Sequence, residues 1–82
     1  MAYHWKHNEE VILLPIRCYD GVKRWSLLVK GNDGYFYGRI PYKDKAAGLM
    51  AVKRNCLTLV FSTDKTFHEY DIGNTLHYYM NI

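Results

Sequence analysis

Eighty-two residues, 49% apolar and 16% aromatic, lie well above a disordered composition and fit a single domain. A chain of this length buries only about two thirds of the surface its unfolded form exposes, so its stability margin is small. A net charge of +3 falls short of a polybasic tail, the longest apolar run (Val11 to Leu14) is far too short to cross a membrane, and Met1 to His7 contains no apolar leader.

Beginning at Met1 and ending at Ile82 with no low-complexity tail, the chain reads as one complete small open reading frame, a single domain over residues 1–82. Cys18 and Cys56, in a chain with no export signal, are expected to be reduced and buried, and the protein is expected to be cytoplasmic. Residues 1–8 carry Tyr3, His4, Trp5 and His7 without a period and read as a loosely ordered arm. His4 and His7 have no cysteine or acid at ligand spacing, so no metal site and no cofactor are expected.

Glu10 to Tyr19 and Val22 to Lys30 read as two strands around Asp20-Gly21, the signature of a two-residue hairpin turn. That turn pairs Ile16 with Trp25, Leu14 with Leu27 and Ile12 with Val29 on a core face that Trp25 shares with the helix. The opposite face receives Arg17 beside Arg24, Pro15 beside Ser26 and Leu13 beside Leu28. Pro15 lacks an N–H, which argues for an edge strand or a bulge.

Gly31 to Gly34 forms a second turn, and Tyr35 to Ile40 a third strand. Its alternation sends Phe36, Gly38 and Ile40 to the core and Tyr35, Tyr37 and Arg39 to the other face, and Pro41 ends it. Asp44 is placed to cap a helix over Lys45 to Arg54 whose apolar stripe is Ala46, Leu49 and Met50. Lys45, Lys53 and Arg54 fall outside that stripe.

Cys56 to Thr63 and Thr66 to Ile72 read as a second hairpin around Asp64-Lys65, with Phe61 opposite His68; in 75–82 Leu76, Tyr79 and Met80 fit one helical turn, but alternation favours a sixth strand. The expected fold is α+β: a small antiparallel sheet or open barrel of order β-β-β-α-β-β(-β), with one short helix packed on one face.

No reaction follows from these residues. His68, Glu69, Asp71 and His77 could form an acid–base cluster of the kind found in metal-independent ribonucleases or toxins, but neighbours on one strand point to opposite faces. A non-enzymatic protein is the expectation, with no catalytic residues.

The derived non-core face is more informative. It gathers Arg17, Arg24, Lys30 and Arg39 with Tyr19, Tyr35 and Tyr37, and has no acid at any strand position; Lys53 and Arg54 add cations on the helix. Rings and guanidinium groups on one face are the composition of a protein hot spot and also of a single-stranded nucleic acid platform. The mild net charge favours a protein or protein–nucleic acid complex with an acidic surface, over single-stranded RNA or DNA and over a membrane. A small protein of this kind fits a stoichiometric inhibitor or adaptor, such as phages and other mobile elements encode.

Overall fold

The computed structural model describes residues 4–32 and 34–71. Its elements are β1 (Glu10–Arg17), β2 (Lys23–Lys30), β3 (Phe36–Tyr42), α1 (Lys45–Arg54), β4 (Thr58–Ser62), β5 (Phe67–His68) and a 3-10 turn, Glu69–Asp71. The α+β class, the order of elements and the helix bounds match the expectation. The sixth strand expected over 75–82 lies outside the described residues, as does His77. No described helix is long and apolar enough to cross a membrane.

The strands form one open sheet in the order β3-β2-β1-β4, with β5 also on β1. β1 and β2 are antiparallel, as are β2 and β3, whereas β4 and β5 both run parallel to β1. The expected hairpin around Asp64-Lys65 is therefore absent, and Phe61 does not face His68. The reason lies in the helix. A connection between strands running the same way must carry the chain back across the sheet, and α1 does so between β3 and β4. It delivers Thr58 beside Glu9, whose carbonyl accepts the Thr58 N–H at 2.9 Å. The chain then runs along β1, leaves it, and rejoins it as β5.

β1 is consequently central, with residues Val11 to Ile16 all buried. Pro15 needs neither an edge nor a bulge. The Leu13 carbonyl accepts the Ser62 hydroxyl at 3.1 Å, so odd-numbered residues of β1 turn their backbone groups toward β4 and β5. Pro15 falls between the last β4 contact, Leu13 with Ser62, and the first β5 contact, Ile16 with Phe67. The proline sits where the ladder asks for no donor.

The β1–β2 register differs by one residue from the two-residue turn. Ile12 pairs with Leu28, Leu13 with Leu27, Pro15 with Trp25 and Arg17 with Lys23. The loop holds three residues, Tyr19, Asp20 and Gly21, closed by Cys18 N–H to Val22 O and Gly21 N–H to Cys18 O, both 2.9 Å. Gly21, at φ +83°, takes the left-handed position that ends a three-residue hairpin loop. Asp-Gly serves either loop length, and the Asp20 carboxylate favours this one by accepting the Val22 N–H at 2.9 Å.

The slip divides the core between two faces. Ile12, Leu14, Ile16, Leu28 and Phe36 form one cluster, joined by Phe61 and Phe67. Val11, Leu13, Leu27 and Val29 form the other with Trp5, Trp25, Ile40, Tyr42, Ala51, Val52, Leu57 and Leu59. Trp25 thus lies on the helix side as expected, but with Leu13 instead of Ile12, Leu14 and Ile16. Trp5 is packed there too, so the arm is anchored from that residue. Two bulges adjust the parity. Val60 is the extra residue between Val11–Leu59 and Ile12–Phe61, which leaves it 50% exposed. Gly38 and Arg39 together stand against Leu28, so Phe36 and Ile40 reach opposite faces. β3 continues through Pro41 to Tyr42, because an edge strand tolerates a proline.

Helix α1 opens on Asp44, whose carboxylate accepts the Ala47 N–H at 2.8 Å. It closes in a Schellman arrangement: Leu57 N–H to Val52 O at 2.9 Å and Cys56 N–H to Lys53 O at 3.3 Å. Cys56 is exposed and not buried as expected, because it belongs to this helix-ending turn and precedes β4; it occupies the left-handed position, φ +54°, where glycine is the common residue. Replacing Cys56 by Gly is expected to stabilise the fold by about 1 kcal/mol, since an L side chain in this conformation costs about 1–2 kcal/mol. A thermal melt checks it; a lower melting temperature would count against the strain.

Candidate functional site

The corrected register dissolves the expected Arg/Tyr face. Arg24 stands opposite Ile16 and Arg17 opposite Lys23, so the two arginines lie on opposite sides of the sheet. Arg24 is a fork on Asp20, with Nη2 2.9 Å from Oδ2 and Nη1 3.2 Å from Oδ1. The pair holds the Asp20 carboxyl below the usual carboxylate range, and Asp20 first, then the Cys18 thiol, raise the Arg24 guanidinium. Lys30 is taken by Glu10 at 3.2 Å. Tyr35 is 47% exposed just before β3, while the side chains of Tyr37 and Arg39 lie outside what the structure describes. Lys53 and Arg54 are exposed in the last turn of α1, where cations suit the helix dipole.

Arg24 and Asp20 line a cleft of about 370 Å³ with Cys18, Tyr19, Ser26, Pro41 and Glu69. Its cation already faces a carboxylate, and Glu69 Oε2 accepts the Tyr19 N–H at 2.9 Å. Such a lining leaves no unmatched cation for an anionic ligand. A wider depression of about 600 Å³ passes Lys6, His7, Glu9, Glu10 and Lys30, with Lys30 matched by Glu10.

A row of side chains across the sheet is different. Arg17 pairs with Lys23 across β1–β2 and with His68 across β1–β5, so Lys23, Arg17 and His68 form a row over three adjacent strands on one face. With strands about 4.8 Å apart, the row spans about 10 Å. All three side chains are exposed. Among the described residues neither Arg17 nor Lys23 has a carboxylate at ion-pair distance, and the Arg17 guanidinium donates to the Gly21 carbonyl at 2.9 Å. Like charges directly opposite on a sheet are destabilising, so the row invites an anion.

One ring lies beside it: His68 stacks on Tyr70 with centroids 5.0 Å apart and planes 19° from parallel, and Tyr70 is 66% exposed. Tyr19, 76% exposed in the β1–β2 loop, lines the Arg24 cleft instead and is tied to Glu69 through its backbone. His68 is thus not a core residue: in β5, Phe67 turns to the buried cluster and His68 turns out.

Arg17 was among the residues the pattern of charge singled out; Lys23, His68 and Tyr70 were not. A three-residue reading of Tyr19-Asp20-Gly21 would have placed Lys23 opposite Arg17, whereas His68 required the parallel pairing. Among the described residues no three His, Cys, Asp or Glu side chains are grouped to hold a metal. Of the acid–base set, Glu69 accepts the Tyr19 backbone N–H and His68 stands beside Arg17. No protein-family model, no curated protein and no solved structure matches this chain, so any function has to be read from its own residues.

Proposed function

We propose that this protein is a small non-enzymatic binding protein, an inhibitor or adaptor acting stoichiometrically on a protein or protein–nucleic acid partner with an acidic surface. The observation that carries this is the Lys23–Arg17–His68 row, whose two fixed cations lack a carboxylate among the described residues. An acidic partner would relieve the repulsion between Arg17 and Lys23, and Tyr70, stacked on His68, supplies ring area of the kind that dominates protein interfaces.

A second reading, single-stranded nucleic acid, is favoured by the stacked and exposed His68–Tyr70 pair, because bases stack on such rings while phosphates meet the cations. Pull-down from lysate with and without nuclease separates the two. Arg17→Glu alone turns the like-charge pair into an opposite-charge pair, so the melting temperature is expected to hold or rise. Arg17→Glu with Lys23→Glu is expected to weaken the captured partner at least about tenfold, a change of about 1.4 kcal/mol. Unaltered binding by the double variant would sink the proposal. For a single strand, log affinity should fall with log salt at about 0.7 per phosphate neutralised; a protein partner gives a shallower slope and a larger loss on Tyr70→Ala.

A further inference from the structure

Helix α1 packs on the sheet through its small side chains and turns its largest apolar ones away. Gly48 is its one buried residue, and Ala51 and Val52 join the helix-side cluster. A Cβ on Gly48 would lie 2.8 Å from Leu13 Cδ1, so the helix approaches the sheet as closely as glycine permits. Leu49 is 40% and Met50 56% exposed. The stripe expected to seek the core, Ala46, Leu49 and Met50, is therefore the outer face. Contact with the sheet is made by smaller residues one position away, which leaves these two side chains largely to solvent.

Cations edge this apolar pair. Lys53 and Arg54 are exposed, Arg54 Nη2 lies 3.3 Å from Met50 Sδ, and the helix Lys45–Arg54 contains no acid. Lys45, at the other end, is already matched by Asp64 at 3.0 Å. An apolar centre with a charged rim is the anatomy of a protein interface, and methionine adapts to the shape of what it meets.

We propose that the outer face of α1, Leu49 and Met50 with Lys53 and Arg54, docks an acidic amphipathic segment of a partner protein. An apolar side chain of the segment covers Leu49 and Met50, and its carboxylates meet Lys53 and Arg54. This rests on the reading that the partner is a protein. A second copy of this chain is the poorer occupant, because helix against helix would bring cations together with no carboxylate on either. Nucleic acid would satisfy the cations and leave Leu49 and Met50 uncovered.

The test uses the whole chain, labelled with nitrogen-15, and a synthetic helical peptide with Leu at i, i+3, i+4 and i+7 and Glu elsewhere. Amide shifts are expected to concentrate in residues 46–54. Leu49→Ser with Met50→Ser, and separately Lys53→Glu with Arg54→Glu, should each weaken the peptide at least about tenfold with the melting temperature unchanged. Arg17→Glu with Lys23→Glu should bind the peptide as the wild type does. The proposal is overturned if the peptide shifts no α1 amide, if a control peptide with Ser for Leu binds equally well, or if oligothymidylate or rising protein concentration reproduces the α1 shifts. Should the row variant lose the natural partner while both α1 variants keep it, the function stands and this site falls.

Discussion

Leu13→Ala is expected to cost about 2–5 kcal/mol, and Gly48→Ala to turn from harmful to helpful in its presence. Leu13 is wholly buried on the helix side, opposite Leu27 in β2 and Ser62 in β4, and its Cδ1 fills the space where Gly48 lacks a side chain. In the native background an alanine at 48 would gain about 1 kcal/mol of helix propensity but meet an immobile leucine, an overpacking cost of about 1–3 kcal/mol. Removing the leucine side chain frees that space, so the propensity gain remains and part of the cavity is filled. Urea denaturation of the two single variants and the double should show a favourable coupling of about 1 kcal/mol or more. Simple additivity would mean that the helix does not bear on the sheet through this contact.

Phe36→Ala is expected to cost about 3–5 kcal/mol, a large part of the roughly 5–15 kcal/mol of a natural domain. Phe36 is 6% exposed and is the β3 contribution to the cluster of Ile12, Leu14, Ile16 and Leu28. β3 adds nothing further there among the described side chains, because the Gly38-Arg39 bulge turns Ile40 and Tyr42 to the helix face, where burial also pushes the Tyr42 phenol up. A normal urea transition for Phe36→Ala would show that β3 is not the strand that closes this cluster.

The outer face of α1 explains why the sequence was misread there. Hydrophobicity singles out Leu49 and Met50 as the core stripe, yet the side chain that decides helix docking is the absent one at Gly48. Its effect depends on how near Leu13 comes, which no helical periodicity contains. The same holds for Arg17. Its charge was visible, but whether it stood beside Arg24 or Lys23 turned on one residue of loop length, and a one-residue slip exchanges the faces of a strand. Arg24 and Lys30 lost their standing as free cations when Asp20 and Glu10 proved to be their partners.

Several features were legible from local chemistry alone: the three strands before the helix, the Asp44 cap, the helix bounds and the turn at Gly21. Each is decided by neighbours within a few residues, through φ preference, capping or alternation. The unbroken run Val11 to Ile16 also carried the message of a central strand, since a strand buried on both faces does not alternate. What the tertiary structure decided were the parallel pairing of β4 and β5, the two bulges, and hence the company of His68. Those depend on α1 carrying the chain back across the sheet, so that residues about fifty positions apart meet on one edge of β1. Pairings at that separation are selected by which arrangement covers both faces of β1 at once, a property of the whole packed sheet and not of any stretch of its sequence.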